Sequence, residues 1–386
     1  MSAEVDPVGL LADLIRCPSV TPETAGVMDL LERVLVPLGF TLTRLSFEGD
    51  GSYPVDNLFA TRVRPGPHLL FNGHTDVVPP GDVSLWRHPP FAAEIVDGVI
   101  YGRGAADMKS GIACFITAVS RAVQSGAAER GTISLAITND EEADSINGTE
   151  KLIAWALTQG QKFDFAIVGE PSATARVGDS IKVGRRGSLN GVITVTGQQG
   201  HVAYPEKARN PLPTVANIVS ALSGPLDKGT AFFPASNLEF TSIDVGNKTT
   251  NVIPAQAVLR FNVRFNEGWT PESLEAHLRA RLAMLPAWGC DVAFEVLGRP
   301  SRSFLSPRGG GLDRLIGSIT AATGTAPELS TAGGTSDARF IAPICPVVEF
   351  GLPGPSMHKT DEHVRISDIE DLAALYARFI GDFFAR

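Results

Sequence analysis

The sequence predicts an α/β protein with a mostly parallel sheet, interrupted by an inserted α+β domain. Three observations carry this. The apolar runs HLLFN (68–72), ISLAIT (133–138) and FAIV (165–168) read as buried strands separated by helical patterns. Past Gly184 the period changes to two, in LNGVITVTG (189–197) and AVLRFNVRF (257–265), as expected for an antiparallel sheet with one covered face. A late buried run, PVVEFG at 346–351, then returns the chain to the first sheet. With 386 residues the chain also exceeds the size at which one hydrophobic core stops growing. The expected domains are 1–184 with 299–386, and 185–298 between them.

In chain order, Val8, Leu11, Leu14 and Ile15 share one face of a first helix, and a second amphipathic helix over 26–38 ends near Pro37 and Gly39. The Gly-rich turn YGRGAADMKSG leads into the apolar helix IACFITAVSRAV at 112–123. Helices near 211–222 and 271–285 interleave with the strands of the insert. There is no internal repeat and no low-complexity linker.

A hydrophobic fraction of 44% with 19% charged residues describes a compact soluble chain. The net charge of −9, without a long basic run, argues against nucleic acid, because phosphate binding needs a basic stripe. The N-terminus begins acidic, and no stretch approaches the length of a membrane span, so a cytoplasmic protein with no membrane partner is expected. Cys17, Cys114, Cys290 and Cys345 have no C-x-x-C spacing and read as reduced thiols. An acidic surface repels a carboxylate substrate, so such a substrate needs a local cationic pocket. Lys182, Arg185 and Arg186 in IKVGRRGS are the candidates, although charges alone fit a solvated interdomain turn better.

The chemistry gathers in five places: GHTD at 73–76, GAAD at 104–107, NDEEA at 139–143, VGE at 168–170, and His358 in SMHKTDE. The first, third and fourth directly follow buried-strand runs, and the carboxyl ends of parallel strands open into one crevice. Imidazoles and carboxylates converging there suit a pair of divalent metals, most naturally zinc. His74 and Asp76 are one residue apart, so on extended backbone they point the same way, and the carboxylate can accept the second ring N–H of a ligating imidazole. Asp107 fits either a helix N-cap or a carboxylate shared by two metals. Glu141 and Glu142 repel each other unless a cation offsets them, and pointing in different directions they can serve as base and ligand. Glu170 is either a solvated turn residue or a ligand. His358 stands among Lys359, Asp361, Glu362 and His363, which leaves open which histidine binds.

The ordered series H-x-D, D, E-E, E/D, H from residue 74 to 358 resembles the M20 metallopeptidase and deacylase family. The stretches GHTDVVPPGD, YGRGAADMKSG, NDEEADSINGT, VGEPS, GRRGS, QGHVAYPEKARNP, TNVIPA, STAGGTSDARFI and MHKTDEHV carry the likeness across nearly the whole chain. Ala338 departs from it, where many members would have glycine. The resemblance implies a di-zinc catalytic domain, with cobalt able to substitute, and an inserted dimerisation or lid domain of a homodimer. His74, Asp107 and Glu170 would hold one zinc, and Asp107, Glu142 and His358 the other, while Asp76 orients His74. Glu141 would be the general base that deprotonates the attacking water and later protonates the leaving amine. His201 would reach the partner's active site to stabilise the oxyanion, the alternative being a strand-end histidine packed on Tyr204.

Arg185, Arg186, Ser188, Tyr204, Asn251, Arg264, Gly334, Thr335 and Ser336 match positions that contact a small N-acyl amino acid substrate in the family. Within it, GRRGS and GGTSDARFI favour the branch that cleaves N-succinyl-LL-2,6-diaminopimelate, in lysine and diaminopimelate biosynthesis, over acetylornithine deacetylases and dipeptidases. A fold-keeping metal-binding module without catalysis is the reading from another class. Glu141 speaks against it, since a carboxylate beside the ligand Glu142 adds repulsion without adding a metal bond.

Overall fold

Thr132–Thr138, His68–His74, Phe165–Val168 and Val347–Glu349 are buried at every position and lie side by side, parallel to one another, at the centre of an eight-stranded sheet. Strands buried on both faces have no polar side to show, which is why these runs are continuously apolar rather than alternating. The computed structural model describes residues 4–385.

The sheet as a whole is mixed, with antiparallel pairs beside its parallel centre. Thr41–Gly49 pairs antiparallel with Ser52–Arg62, which pairs antiparallel with Thr132–Thr138. At the other side Val347–Glu349 meets Ser180–Lys182 antiparallel, and Glu328–Ser330 completes the edge in parallel with Ser180–Lys182. The physical reason at the first edge is the connection Asp50-Gly51, both residues at positive φ (54° and 80°). So short a link only joins antiparallel neighbours, and Asp-Gly is the dipeptide that accepts this backbone.

Successive side chains of His68–His74 point to opposite faces. Phe71 stacks on Phe115 of the helix Ser110–Ser125, with ring centroids 4.2 Å apart, and Tyr376 of the helix Ile366–Phe384 meets it edge-on. Asn72 faces the other way and donates to Thr149 Oγ1, 3.1 Å distant, at the start of the helix Thr149–Thr158. Both faces of the central strand are thus fixed, and with them the direction of His74 at its end. Gly111 allows the start of Ser110–Ser125 to approach this edge, because a Cβ there would stand 2.2 Å from the Gly169 carbonyl oxygen. The first helix, Pro7–Ile15, is capped by the Asp6 carboxylate, which accepts from Val8 N and Gly9 N at 3.1 and 3.0 Å. Among the described residues no helix is long and apolar enough to cross a membrane, and all four cysteines are free.

The chain divides into two units: Met1–Val183 with Ser306–Ser330 and Ser336–Arg386, and Gly184–Leu305 with Thr331–Thr335. The second contains a wholly antiparallel sheet in the order Gly224–Pro225, Asn237–Asp244, Gln256–Phe265, Gly187–Thr196, Asp291–Ser301. Gly187–Thr196 and Gln256–Phe265 alternate buried and more exposed positions. Leu189, Ile193, Leu259, Phe261 and Val263 pack with Val215 and Ile218 of the helix Pro211–Leu222, and with Leu274 and Leu278 of Pro271–Ala283. Asn210 caps the first of these helices, and a Thr270–Ser273 capping box starts the second.

Candidate metal centre

His74 ends its strand with the Nδ1 atom 2.9 Å from the Asp76 backbone oxygen. A carbonyl only accepts, so Nδ1 donates there and Nε2 is the ring atom left to face a metal. Nε2 faces Asp107 Oδ1 at 3.3 Å and Glu170 Oε1 at 3.5 Å, with Glu141 Oε2 at 4.0 Å. The expected hydrogen bond from the ring to the Asp76 carboxylate is not formed: Oδ1 lies 3.6 Å from Nδ1. The strand stops at His74, so sheet pairing does not hold Asp76 in strand geometry. The Asp76 carboxylate instead accepts from Thr21 Oγ1 (2.8 Å), Glu141 N (3.2 Å) and Glu142 N (3.0 Å). It therefore fixes the backbone of the glutamate pair, and acts on His74 through its charge alone.

Asp107 is not a helix cap. The helix begins at Ser110 without a side-chain cap, and Asp107 sits before it in a non-helical turn with φ −124° and ψ 100°. Its second oxygen lies 3.4 Å from His358 Nε2, which is 3.1 Å from Glu142 Oε1. His363, the alternative left open by the sequence, turns its Nδ1 to the Asp361 carbonyl at 2.7 Å and packs against Tyr101. Glu170 is buried, not a solvated turn residue.

Two groups result, each with one ligand atom per residue and all atoms within 4.8 Å of one another: His74, Asp107 and Glu170, and Asp107, Glu142 and His358. The donor set fits a pair of divalent cations. Ligand atoms around a tetrahedral ion bonded at about 2.0–2.1 Å stand roughly 3.4 Å apart, and the separations of 3.1 to 3.5 Å match that. His74 Nε2 and Asp107 Oδ1 are moreover buried without any hydrogen-bond partner. Leaving such atoms unpaired costs about 1–3 kcal/mol each, so a partner of another kind is called for.

The electrostatics agree. Burial, reinforced by the charge of Glu170, raises the Glu141 carboxyl far above its ordinary value against the pull of His74. Burial and Asp107 push Glu170 up to about 8, again opposed by His74. Asp107 and Glu142 raise His358 to about 10. Burial disfavours a charge on His74, yet Asp107, Glu170 and Asp76 raise it well above 6.5. Asp107, opposed by burial, is held far below the usual carboxylate range by both imidazoles. Acidic groups held this close need more positive charge than two imidazoles supply.

The remaining residues singled out from sequence lie elsewhere. In the second unit Arg185 is buried and donates to the Ala332 carbonyl at 3.0 Å, beside Gly334 and Thr335. Arg186 donates to Asn237 Oδ1 at 3.1 Å, and Ser188 stands opposite Arg264 in the sheet. Arg186 Nε and Arg264 Nη1 are buried and without partners, and burial together with the charge of Arg186 lowers the pKa of Arg264. His201 is exposed and ends the strand Gly200–His201, with its ring centroid 5.8 Å from that of Tyr204; its Nδ1 accepts from Ala203 N at 3.0 Å, and its backbone pairs with Val252, next to Asn251. Ser336 belongs to the first unit and donates to the fully buried Glu349.

Some buried charged groups carry no role in the sequence analysis. Glu362 and Arg103 form a closed ion pair at 2.7 Å, and Asp337 has both carboxylate oxygens without a partner. Glu362 was visible only as one more acid near His358, since its partners lie more than 250 residues earlier in the chain.

The sequence matches the profile of peptidase family M20/M25/M40 over residues 70–382. The fold is similar to that of an M20 family metallo-carboxypeptidase from Sulfolobus solfataricus, with a TM-score of 0.77 and 18% identity, covering 98% of this chain and 99% of that one. It is similar to a tripeptidase from Staphylococcus aureus, with a TM-score of 0.78 and 18% identity over the whole of both chains. A dinuclear metal binding peptidase of the M20 family from Bacillus subtilis matches with a TM-score of 0.69 and 16% identity, covering 97% of this chain and 96% of that one.

Proposed function

The chain belongs to peptidase family M20/M25/M40, and from that premise we propose that it is a di-zinc amidohydrolase cleaving N-succinyl-LL-2,6-diaminopimelate to succinate and LL-2,6-diaminopimelate. His74, Asp107 and Glu170 would hold one ion and Asp107, Glu142 and His358 the other. Mixed imidazole and carboxylate donors suit zinc, and cobalt accepts the same set. When bound, such a pair supplies Lewis-acid polarisation of the scissile carbonyl and acidifies the attacking water.

Glu141 belongs to neither ligand group, and its Oε2 lies 4.0 Å from His74 Nε2. Its carboxylate takes a proton from water as the water oxygen bonds to the carbonyl carbon, then delivers that proton to nitrogen as the C–N bond breaks. Asp76 keeps Glu141 in place through the hydrogen bond to its backbone N–H.

The observation that carries the succinyl part is the pair of buried, unpartnered N–H groups on Arg186 and Arg264. A succinyl group ends in a carboxylate that an acetyl group lacks, and a guanidinium fork is the donor best matched to it. The dipeptidases of similar fold favour a second reading, a dipeptidase, whose substrate carboxylate the same arginines suit. The test is kcat/KM on metal-loaded protein for N-succinyl-diaminopimelate, N-acetylornithine and a dipeptide panel. Preference for the succinyl substrate is expected; preference for a dipeptide moves the protein to the second reading.

The homodimer is part of the same proposal. Ser188↔Arg264 and Thr196↔Gln256 mark two ends of one antiparallel ladder, eight positions apart, and the His201↔Val252 pairing continues beyond the second end. Eight positions span roughly 27 Å, so arginines and His201 serving one substrate are best supplied by two chains. Mixing a His201→Ala chain with a Glu141→Ala chain should then recover activity, because one site of the heterodimer keeps both groups. No recovery in verified heterodimers would remove His201 from the partner's site.

A further inference from the structure

We propose that Glu362, charge-paired with Arg103, is a positioning residue that sets the separation of Asp107 and His358 and so governs the affinity of the candidate centre for both of its metal ions. The inference rests on the two-metal reading of that centre and adds to it a residue that contacts no metal.

Asp107 belongs to both ligand groups, yet regular structure does not hold it. It precedes the helix Ser110–Ser125, in a turn that starts at Gly104 with φ +83° and departs from helical geometry at Asp107. The N–H groups of such a turn need acceptors from elsewhere. Glu362 supplies them. Its Oε1 accepts from Ala106 N at 2.8 Å and Asp107 N at 3.1 Å, and its Oε2 accepts from Gly104 N at 3.1 Å and Arg103 Nη1 at 2.7 Å. Three backbone N–H groups and one cation compensate a carboxylate that is wholly buried.

The same residue is built into the segment of His358. Gly102 N donates to the Glu362 carbonyl at 2.8 Å, and Arg103 Nη1 also reaches the Lys359 carbonyl at 3.3 Å. His363–Arg365, immediately after, pairs with Val99–Tyr101 just before the turn. His358 itself has φ +60° and Asp361 φ +55°, backbone that a segment without outside anchors would not favour. Glu362 therefore ties the two ligand-bearing segments to each other, and the 3.4 Å between His358 Nε2 and Asp107 Oδ2 is measured across that tie.

The test is titration of the metal-free protein with Co2+, followed by its visible absorption, alongside far-UV circular dichroism and thermal unfolding of the metal-free form. In Glu362→Gln an NH2 group replaces one carboxylate oxygen and faces two donors. Both cobalt affinities should fall, by ~10- to 100-fold as for other residues that orient metal ligands, while the metal-free circular dichroism stays that of the parent. Glu362→Asp is measured with it, since it keeps the charge and cannot span all four donors; a smaller loss at both ions is expected. A folded variant of either kind whose cobalt affinities stay within twofold of the parent overturns the proposal, even if its metal-free form melts earlier, because that is what a purely structural role produces. A parent that takes up fewer than two cobalt ions overturns the two-metal reading beneath it as well.

Discussion

Glu141→Gln should lower kcat by ~100- to 10,000-fold, the range that a positioned general base contributes, while metal content stays that of the parent. The amide keeps the size of the carboxylate but cannot take a proton at the operating pH. The Asp76 contact is to the Glu141 backbone N–H, so the substitution leaves the position of the loop unchanged. Glu142→Gln should act differently. Glu142 Oε1 lies 3.1 Å from His358 Nε2 within the second ligand group, so its loss should weaken the hold on one ion before it affects the chemistry. Metal analysis and kcat on both variants check this, and equal metal loss with equal residual activity would contradict the division of roles.

The second large effect concerns acyl selection. A site that leaves buried charged donors unpaired when the wrong substrate enters rejects it by ~10,000-fold or more, whereas an apolar pocket separates substrates by about 10- to 200-fold. Arg186 Nε and Arg264 Nη1 are such donors. The preference for N-succinyl-diaminopimelate over N-acetylornithine should therefore be of the larger order, and Arg264→Ala should remove most of it by lowering kcat/KM for the succinyl substrate while that for acetylornithine changes little. Equal kcat/KM values in the parent would move the chain to the deacetylase branch with its metal chemistry intact.

The candidate ligands were legible because each of His74, Glu142 and Glu170 follows an apolar run that reads as a buried strand. A polar group at the end of such a strand has few places to go. Asp76 was misread in its direction because the assignment extended strand geometry past His74, while the donors it serves arrive from the 139–142 loop. The mixed character of the sheet was written in Asp50-Gly51, a local signal outweighed by the parallel pattern around it. Glu362 lay beyond sequence reasoning for a different reason: its acceptor role depends on backbone N–H groups, which every residue has and no side-chain pattern announces.

The central claim is a centre that holds two metal ions and uses both. Metal-free protein reloaded with zinc in steps, with elemental analysis and activity measured on the same samples, tests it most directly. Two ions per chain at full activity, and loss of activity when both are removed, are expected from ligand groups that share Asp107. Fully active protein containing one ion per chain or none would contradict it.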